Sequence, residues 1–194
     1  YVAPQKELRL AMLLHDIGKA KTLKVDEEGI THFHGHQMKS AEMAKDILKR
    51  LRFDNDTIST VIRLVEFHDY GNGVNPDMRI VRRAVNKIGE DIMPKLFVVR
   101  RADVLAQSEY QREEKLAALD KWQRLFEEIK DKQQCVSLKT LAISGADLIV
   151  LGMKPGKEMG EMLKELLEYV LDHPEDNVKE RLLEQVRGKI KTNL

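Results

Sequence analysis

Cysteine occurs once in 194 residues, at Cys135, which excludes a disulfide framework and any metal site built on several thiolates. A reducing compartment, the cytoplasm, is the expected location. No run of about 18 apolar residues occurs, and the first residues, YVAPQKELRL, lack the charged-then-apolar layout of a signal peptide. Neither a membrane span nor a secretory leader is expected. Charge of one sign is also lacking: 33 basic residues stand against 32 acidic ones, a formal charge of +1, which argues against a strongly basic grip on nucleic acid along the whole chain. The chain opens on Tyr1 rather than Met, a turn or two before its most suggestive motif, and is expected to be part of a longer protein.

Glycine and proline are sparse, 11 and 5, and apolar residues recur mostly at three-to-four spacing, so the pattern reads as helix after helix. An all-α, bundle-like body follows. Pro4, Leu8, Ala11, Met12 and Leu14 give a first helix that Gly18, Lys19 and Lys21 close, with His15 and Asp16 in its last turn. Residues 21–33 alternate around an Asp26-Glu27-Glu28-Gly29 turn and suggest one short β-hairpin. Further helices are expected from His36 to Leu51, from Asp54 to His68, from Pro76-Asp77 through Val85, and from Pro94 through Val104. The charged segment 108–132 carries Leu119, Trp122, Phe126 and Ile129 on one face. A polar stretch near 133–141 precedes a segment of different character, so the division is drawn at 136/137. In the tail, Ser144 and Gly145 cap a short helix, and two more helices run from Met159 to Leu171 and from Val178 to Ile190.

Of six histidines, five fall in three clusters: His15 with Asp16; His32, His34 and His36; and His68 with Asp69. Each His-Asp pair follows an apolar run at a helix end. Asp103 sits alone in the apolar-flanked stretch VVRRADVLA, where burial demands a partner. Mixed imidazole and carboxylate ligands converging from several helices are what a divalent metal needs in a bundle interior, with positions left for water and a phosphate oxygen. The implied chemistry is hydrolysis of a phosphate ester. Among the middle cluster His36, opening a helix, is the leading ligand, His34 a further candidate, and His32 an exposed edge. Lys19, one turn beyond His15, is a candidate for a substrate phosphate.

The series LLHDIGKA, GHQMKSA, VEFHD and RADVLAQ resembles the HD superfamily of metal-dependent phosphohydrolases at four of its five usual stations. That resemblance implies His15, Asp16, His36, His68 and Asp103 as metal ligands. The family's first histidine lies upstream of the His-Asp pair, and residues 1–14 hold none. Either Asp69 or water takes its place, or the histidine belongs to an upstream helix outside this chain and the site is incomplete. The ligand types suit manganese, nickel, cobalt, iron or zinc, with magnesium a further option.

The segment ISGADLIVLGMKPGKEMGEMLKELLEYVL, following the FHGH and EFHD pieces, is similar to the C-terminal half of bacterial tRNA nucleotidyltransferases, the CCA-adding and poly(A) polymerase family. The resemblance implies 2',3'-cyclic phosphodiesterase or phosphatase work on nucleotides or RNA ends. The alternative is a non-catalytic helical body and tail that binds tRNA for a nucleotidyltransferase head elsewhere, with tRNA or a nucleotide phosphate ester as partner either way. Lys154 and Lys157, flanking the Pro155-Gly156 turn, are the candidates for backbone phosphate contacts. The sole Asp-x-Asp, Asp54-Asn55-Asp56, lacks a glycine loop and reads as a helix N-cap.

Overall fold

Asp54 shows how this sequence starts a helix: its side chain accepts from the backbone N–H of Thr57 at 2.8 Å and from the Thr57 hydroxyl at 2.7 Å, which satisfies donors that a helix's first turn leaves open. The structure, a computed structural model, describes residues 2–192. Its helices are α1 (Lys6–Leu14), α2 (Lys19–Thr22), α3 (His36–Arg50), α4 (Asn55–Phe67), α5 (Met78–Ile88), α6 (Met93–Ala106), α7 (Arg112–Asp131), α8 (Gly145–Val150), α9 (Lys157–Asp172) and α10 (Lys179–Thr192), with a short 3-10 turn at Pro174–Asp176. Two strands, β1 (Lys24–Val25) and β2 (Thr31–His32), pair antiparallel, Lys24 opposite His32 and Val25 opposite Thr31. The expected all-α class with one short hairpin is what the chain adopts.

Packing divides the described residues into two units: those up to 76 together with 88–123, and 77–87 together with those from 124 on. The second unit thus starts inside α7, upstream of 136/137, and also takes in most of α5. In the first unit α4 packs against α1 and α3, and α6 against α1 and α4. Leu48, Val61, Leu64, Leu96 and Trp122 are each 1% exposed or less. Burying one such side chain contributes about 1.5–3 kcal/mol before ordering costs are subtracted.

The second unit is tied by arginines of α5. Arg83 donates to Asp172 at 3.0 and 3.1 Å and to Glu168 at 2.6 Å, and Arg82 Nε donates to the Leu171 carbonyl at 2.6 Å. Here α5 meets the C-terminal end of α9, where orphaned carbonyls and the helix dipole favour cations. At the start of α8, Asp147 accepts from the Ser144 backbone N–H at 2.8 Å and from its hydroxyl at 2.9 Å. That is the cap the sequence leads one to expect.

Gly18 requires a correction. It does not end α1 as a left-handed cap: α1 stops at Leu14, His15 is its C-cap, and Gly18 has φ −71°. Its lack of a side chain is used for close approach instead. A Cβ there would lie 2.5 Å from the His36 carbonyl oxygen and 2.6 Å from the Ser40 nitrogen. Gly18 N–H donates to Ser40 Oγ at 2.9 Å. The turn bearing His15 and Asp16 is therefore pressed onto the first turn of α3.

Candidate metal centre

Three helix ends and one helix face meet in the first unit. His15 and Asp16 lie in the turn after α1, His36 is the first residue of α3, His68 caps the end of α4, and Asp103 projects from α6. All five residues named as ligands from the sequence are brought together.

Each histidine is held in one way. Nδ1 of His15 bonds the Met12 carbonyl at 2.9 Å, that of His36 the Phe33 carbonyl at 3.0 Å, and that of His68 the Val65 carbonyl at 2.7 Å. A carbonyl can only accept, so the ring proton of each neutral imidazole resides on Nδ1 and the Nε2 lone pair is free. The three Nε2 atoms face one another and the carboxylates. His36 Nε2 lies 3.3 Å from His68 Nε2 and 3.3 Å from Asp16 Oδ1, and His68 Nε2 lies 3.7 Å from the same oxygen. His15 Nε2 is 3.3 Å from Asp16 Oδ2 and 3.4 Å from Asp103 Oδ1.

These are spacings for hydrogen bonds without the protons to make them. Asp16 Oδ1 is buried and has no hydrogen-bond partner among the described residues. A pocket of converging acceptors lacks positive charge at its centre, and a divalent cation supplies it. Ring protons donated to backbone carbonyls are also the usual support for metal-ligating histidines. The residues therefore fit a metal. Two groups have ligand atoms within 4.8 Å of one another: His15, Asp16 and His68; and His36, His68 and Asp69. His68 is common to both and has one lone pair to give, so the two groups describe a single cluster with a choice of ligands. Asp69, one of the expected substitutes for the upstream histidine, has an oxygen within reach of the cluster and accepts from the Gln37 amide.

Electrostatics follow the same geometry. Burial works against protonating His15, but the bond that a proton on Nε2 would make to Asp103, the Met12 carbonyl and the two carboxylate charges outweigh it and raise the pKa. Burial dominates at His68 and lowers it, against the Val65 carbonyl and Asp69. At Asp103 burial opposes ionisation, yet His15 and Gln107 hold the carboxyl below its ordinary value.

Other expected residues fall elsewhere. His34 is exposed and stacks on His32, ring centroids 5.2 Å apart, outside both ligand groups. His32 bonds Asp26 at 2.7 Å, an exposed edge as expected. Lys19 reaches the cluster through Asp16 Oδ2 at 2.6 Å. Lys154 and Lys157 are exposed in the second unit, Lys157 lying 3.5 Å from Glu161.

Four residues around the cluster were not singled out in the sequence. Gln107 donates to Asp103 Oδ2 at 2.8 Å, and Arg100 is buried on α6 beside it. They stand three residues before and four after Asp103, one helical turn each way, and that spacing is a signal that could have found them. Gln37 and Trp122 carry no such signal.

The family profile for tRNA nucleotidyltransferase domain 2 matches residues 21–186. A CC-adding tRNA nucleotidyltransferase of Thermus thermophilus is 35% identical over 156 residues, 79% of this chain and 33% of that protein. An A-adding tRNA nucleotidyltransferase of Deinococcus radiodurans is 31% identical over 161 residues, 80% of this chain and 35% of that protein. A multifunctional CCA protein of Alcanivorax borkumensis is 36% identical over 64 residues, 33% of this chain and 15% of that protein. The chain thus spans about a third of the first two relatives it matches. No solved structure matches it significantly.

Proposed function

The chain belongs to the tRNA nucleotidyltransferase domain 2 family, and from that premise we propose that its first unit is a metal-dependent phosphohydrolase centre of the HD type. Its substrates are phosphodiesters or phosphomonoesters of nucleotides or RNA ends, 2',3'-cyclic phosphates among them. The observation that carries this reading is Asp16 Oδ1, buried and unpaired between two imidazole nitrogens that have no proton to offer it.

His15, His36 and His68 would present Nε2 to a divalent ion, with Asp16, Asp103 and Asp69 supplying oxygens. The donor set suits manganese, iron, cobalt, nickel or zinc better than magnesium, which favours oxygen ligands and keeps its waters. When bound, such an ion supplies Lewis-acid polarisation of a phosphoryl oxygen and lowers the pKa of water. Hydrolysis forms one P–O bond from water, breaks one ester P–O bond and delivers a proton to the departing oxygen. Nε2 of His15 and Oδ1 of Asp103, 3.4 Å apart, would face the same ion. Lys19 holds the outer oxygen of Asp16 and stands where a substrate phosphate would approach.

A second reading is supported by the reach of the family match, which runs through both units from residue 21 to 186 and leaves out His15 and Asp16. The chain would then be the body and tail that binds tRNA beside a nucleotide-adding head, with Lys154 and Lys157 on backbone phosphate. Elemental analysis of wild type beside Asp16→Ala separates the two. Stoichiometric transition metal lost in the variant, together with loss of 2',3'-cyclic nucleotide hydrolysis, supports the hydrolase. No metal in either protein, with salt-dependent tRNA binding indifferent to Asp16, overturns it in favour of the scaffold.

A further inference from the structure

A cleft of about 160 Å³ opens beside the cluster, lined by His68 and Asp103 of the cluster and by Asn72, Arg100, Lys115 and Trp122. We propose that this cleft is an anion subsite that takes a second phosphate of the substrate, held by Arg100, Lys115 and the indole N–H of Trp122. The assignment of a second phosphate rests on the hydrolase reading of the cluster; the anion site itself stands on the following geometry.

Arg100 is 9% exposed. Its guanidinium donates to Asn72 Oδ1 at 2.9 Å and lies 5.9 Å from the Trp122 ring. Among the described residues no carboxylate is within ion-pair distance of it. A buried guanidinium without an anion in contact is a costly arrangement, since the charge has left water and one neutral hydrogen bond and an aromatic ring repay it only in part. Burial lowers its pKa to about 10, against the pull of Asp69, so it remains charged at neutral pH. Trp122 is 1% exposed and its Nε1–H is buried with no partner. An indole N–H can only donate. Lys115 Nζ, 3.3 Å from Gln107 Oε1, adds a second cation. Asp103, the acid of the lining, is already engaged by His15 and Gln107.

The loop after α4 completes the wall. Gly71 has φ +76°, and a Cβ there would come within 2.6 Å of the Trp122 ring, so only glycine lets the chain lie against the indole. The volume selects the ligand's size. It is close to the roughly 150 Å³ that admits a benzene-sized molecule and well short of the roughly 300 Å³ of pockets for drug-sized ligands. One phosphate group fits. His68 belongs to both the cleft and the cluster, so a phosphate here would neighbour the one being hydrolysed.

Trp122 is the chain's only tryptophan, and its emission reports on the cleft. The experiment titrates inorganic phosphate into the full chain with chelator present and ionic strength fixed by chloride. A saturable change in emission is expected, retained in Asp16→Ala and weakened about tenfold or more in Arg100→Gln, as loss of a charge-assisted hydrogen bond implies. Lys115→Gln, at a partly exposed position, is the second variant should Arg100→Gln fail to fold, and it too should weaken binding. An unsaturable response, or one unchanged in the variants of Arg100 and Lys115, overturns the subsite and leaves the metal reading intact. A response that needs added metal and vanishes in Asp16→Ala also overturns it, because phosphate would then bind at the cluster alone. Competition by a nucleoside diphosphate against an RNA with a terminal phosphate identifies which supplies the group.

Discussion

Gly18→Ala is the sharpest test of how the cluster is assembled. The added Cβ would sit 2.5 Å from the His36 carbonyl oxygen, and ordinary van der Waals contact begins at 3.4 Å, so about 0.9 Å of separation is needed between the turn and α3. Both nearest atoms are backbone, so no side-chain rotation relieves the clash. Forcing such a shift costs about 1–3 kcal/mol. Gly18 has φ −71°, a conformation alanine adopts freely, so its smaller unfolded-state entropy returns about 0.4–1 kcal/mol. The balance is a loss of roughly 1–2 kcal/mol, and a chain of this size then melts about 2–8 °C lower. The control is Gly160→Ala inside α9, where nothing lies within 4 Å of the new Cβ; that variant should melt slightly higher than wild type. Thermal denaturation by circular dichroism, with chelator present, reads both. Metal binding should fall as well, because a displacement near 0.9 Å exceeds the ~0.5 Å within which a site must be held. A Gly18→Ala melting point at or above wild type would refute the claim that this glycine sets the distance between the His-Asp turn and α3.

Among the histidines, His36→Gln should abolish bound transition metal while His34→Gln leaves it unchanged, read by elemental analysis; equal loss would put His34 in the site. Leu64→Ala, at a fully buried position, should cost about 2–5 kcal/mol, whereas Leu13→Ala, with Leu13 72% exposed, should stay within about 0.5 kcal/mol. Denaturant midpoints check this pair, and similar losses would mean that the packing around α4 is misjudged. The bonds of Asp147 to Lys179, and then to Ser144, hold its carboxyl down at about 2. Because its folded value lies below the unfolded one of about 3.9, the stabilisation is complete above about pH 4 and disappears as pH falls toward 2. The melting-point advantage of wild type over Asp147→Asn should therefore shrink across that window; an offset constant with pH would show that the charge of Asp147 is not involved.

Much of this arrangement was legible in the chain itself. Three-to-four periodicity located the helices because a buried face must recur with the helical turn, and Asp54 and Ser144 marked helix starts because the capping carboxylates, of Asp54 and Asp147, lie within three residues of the N–H groups they accept from. The clustering of imidazoles with carboxylates and the lone Asp103 in an apolar stretch were visible, and the family resemblance named the five as a set. Packing decided the rest. His34 and His36 share strand parity, but the chain turns at Gly35, φ +75°, and only His36 enters the cluster. Arg83 and Asp172 stand 89 residues apart, and their pairing joins α5 to the unit of α9 with no local trace in either segment. Gly18 looked like a stop signal and proved to be a contact, since whether a missing Cβ frees a dihedral or admits a neighbour depends on what lies opposite. Local chemistry is written in local spacing, but which groups face one another across the fold is set by backbone approach over long loops, and that only the tertiary structure decides.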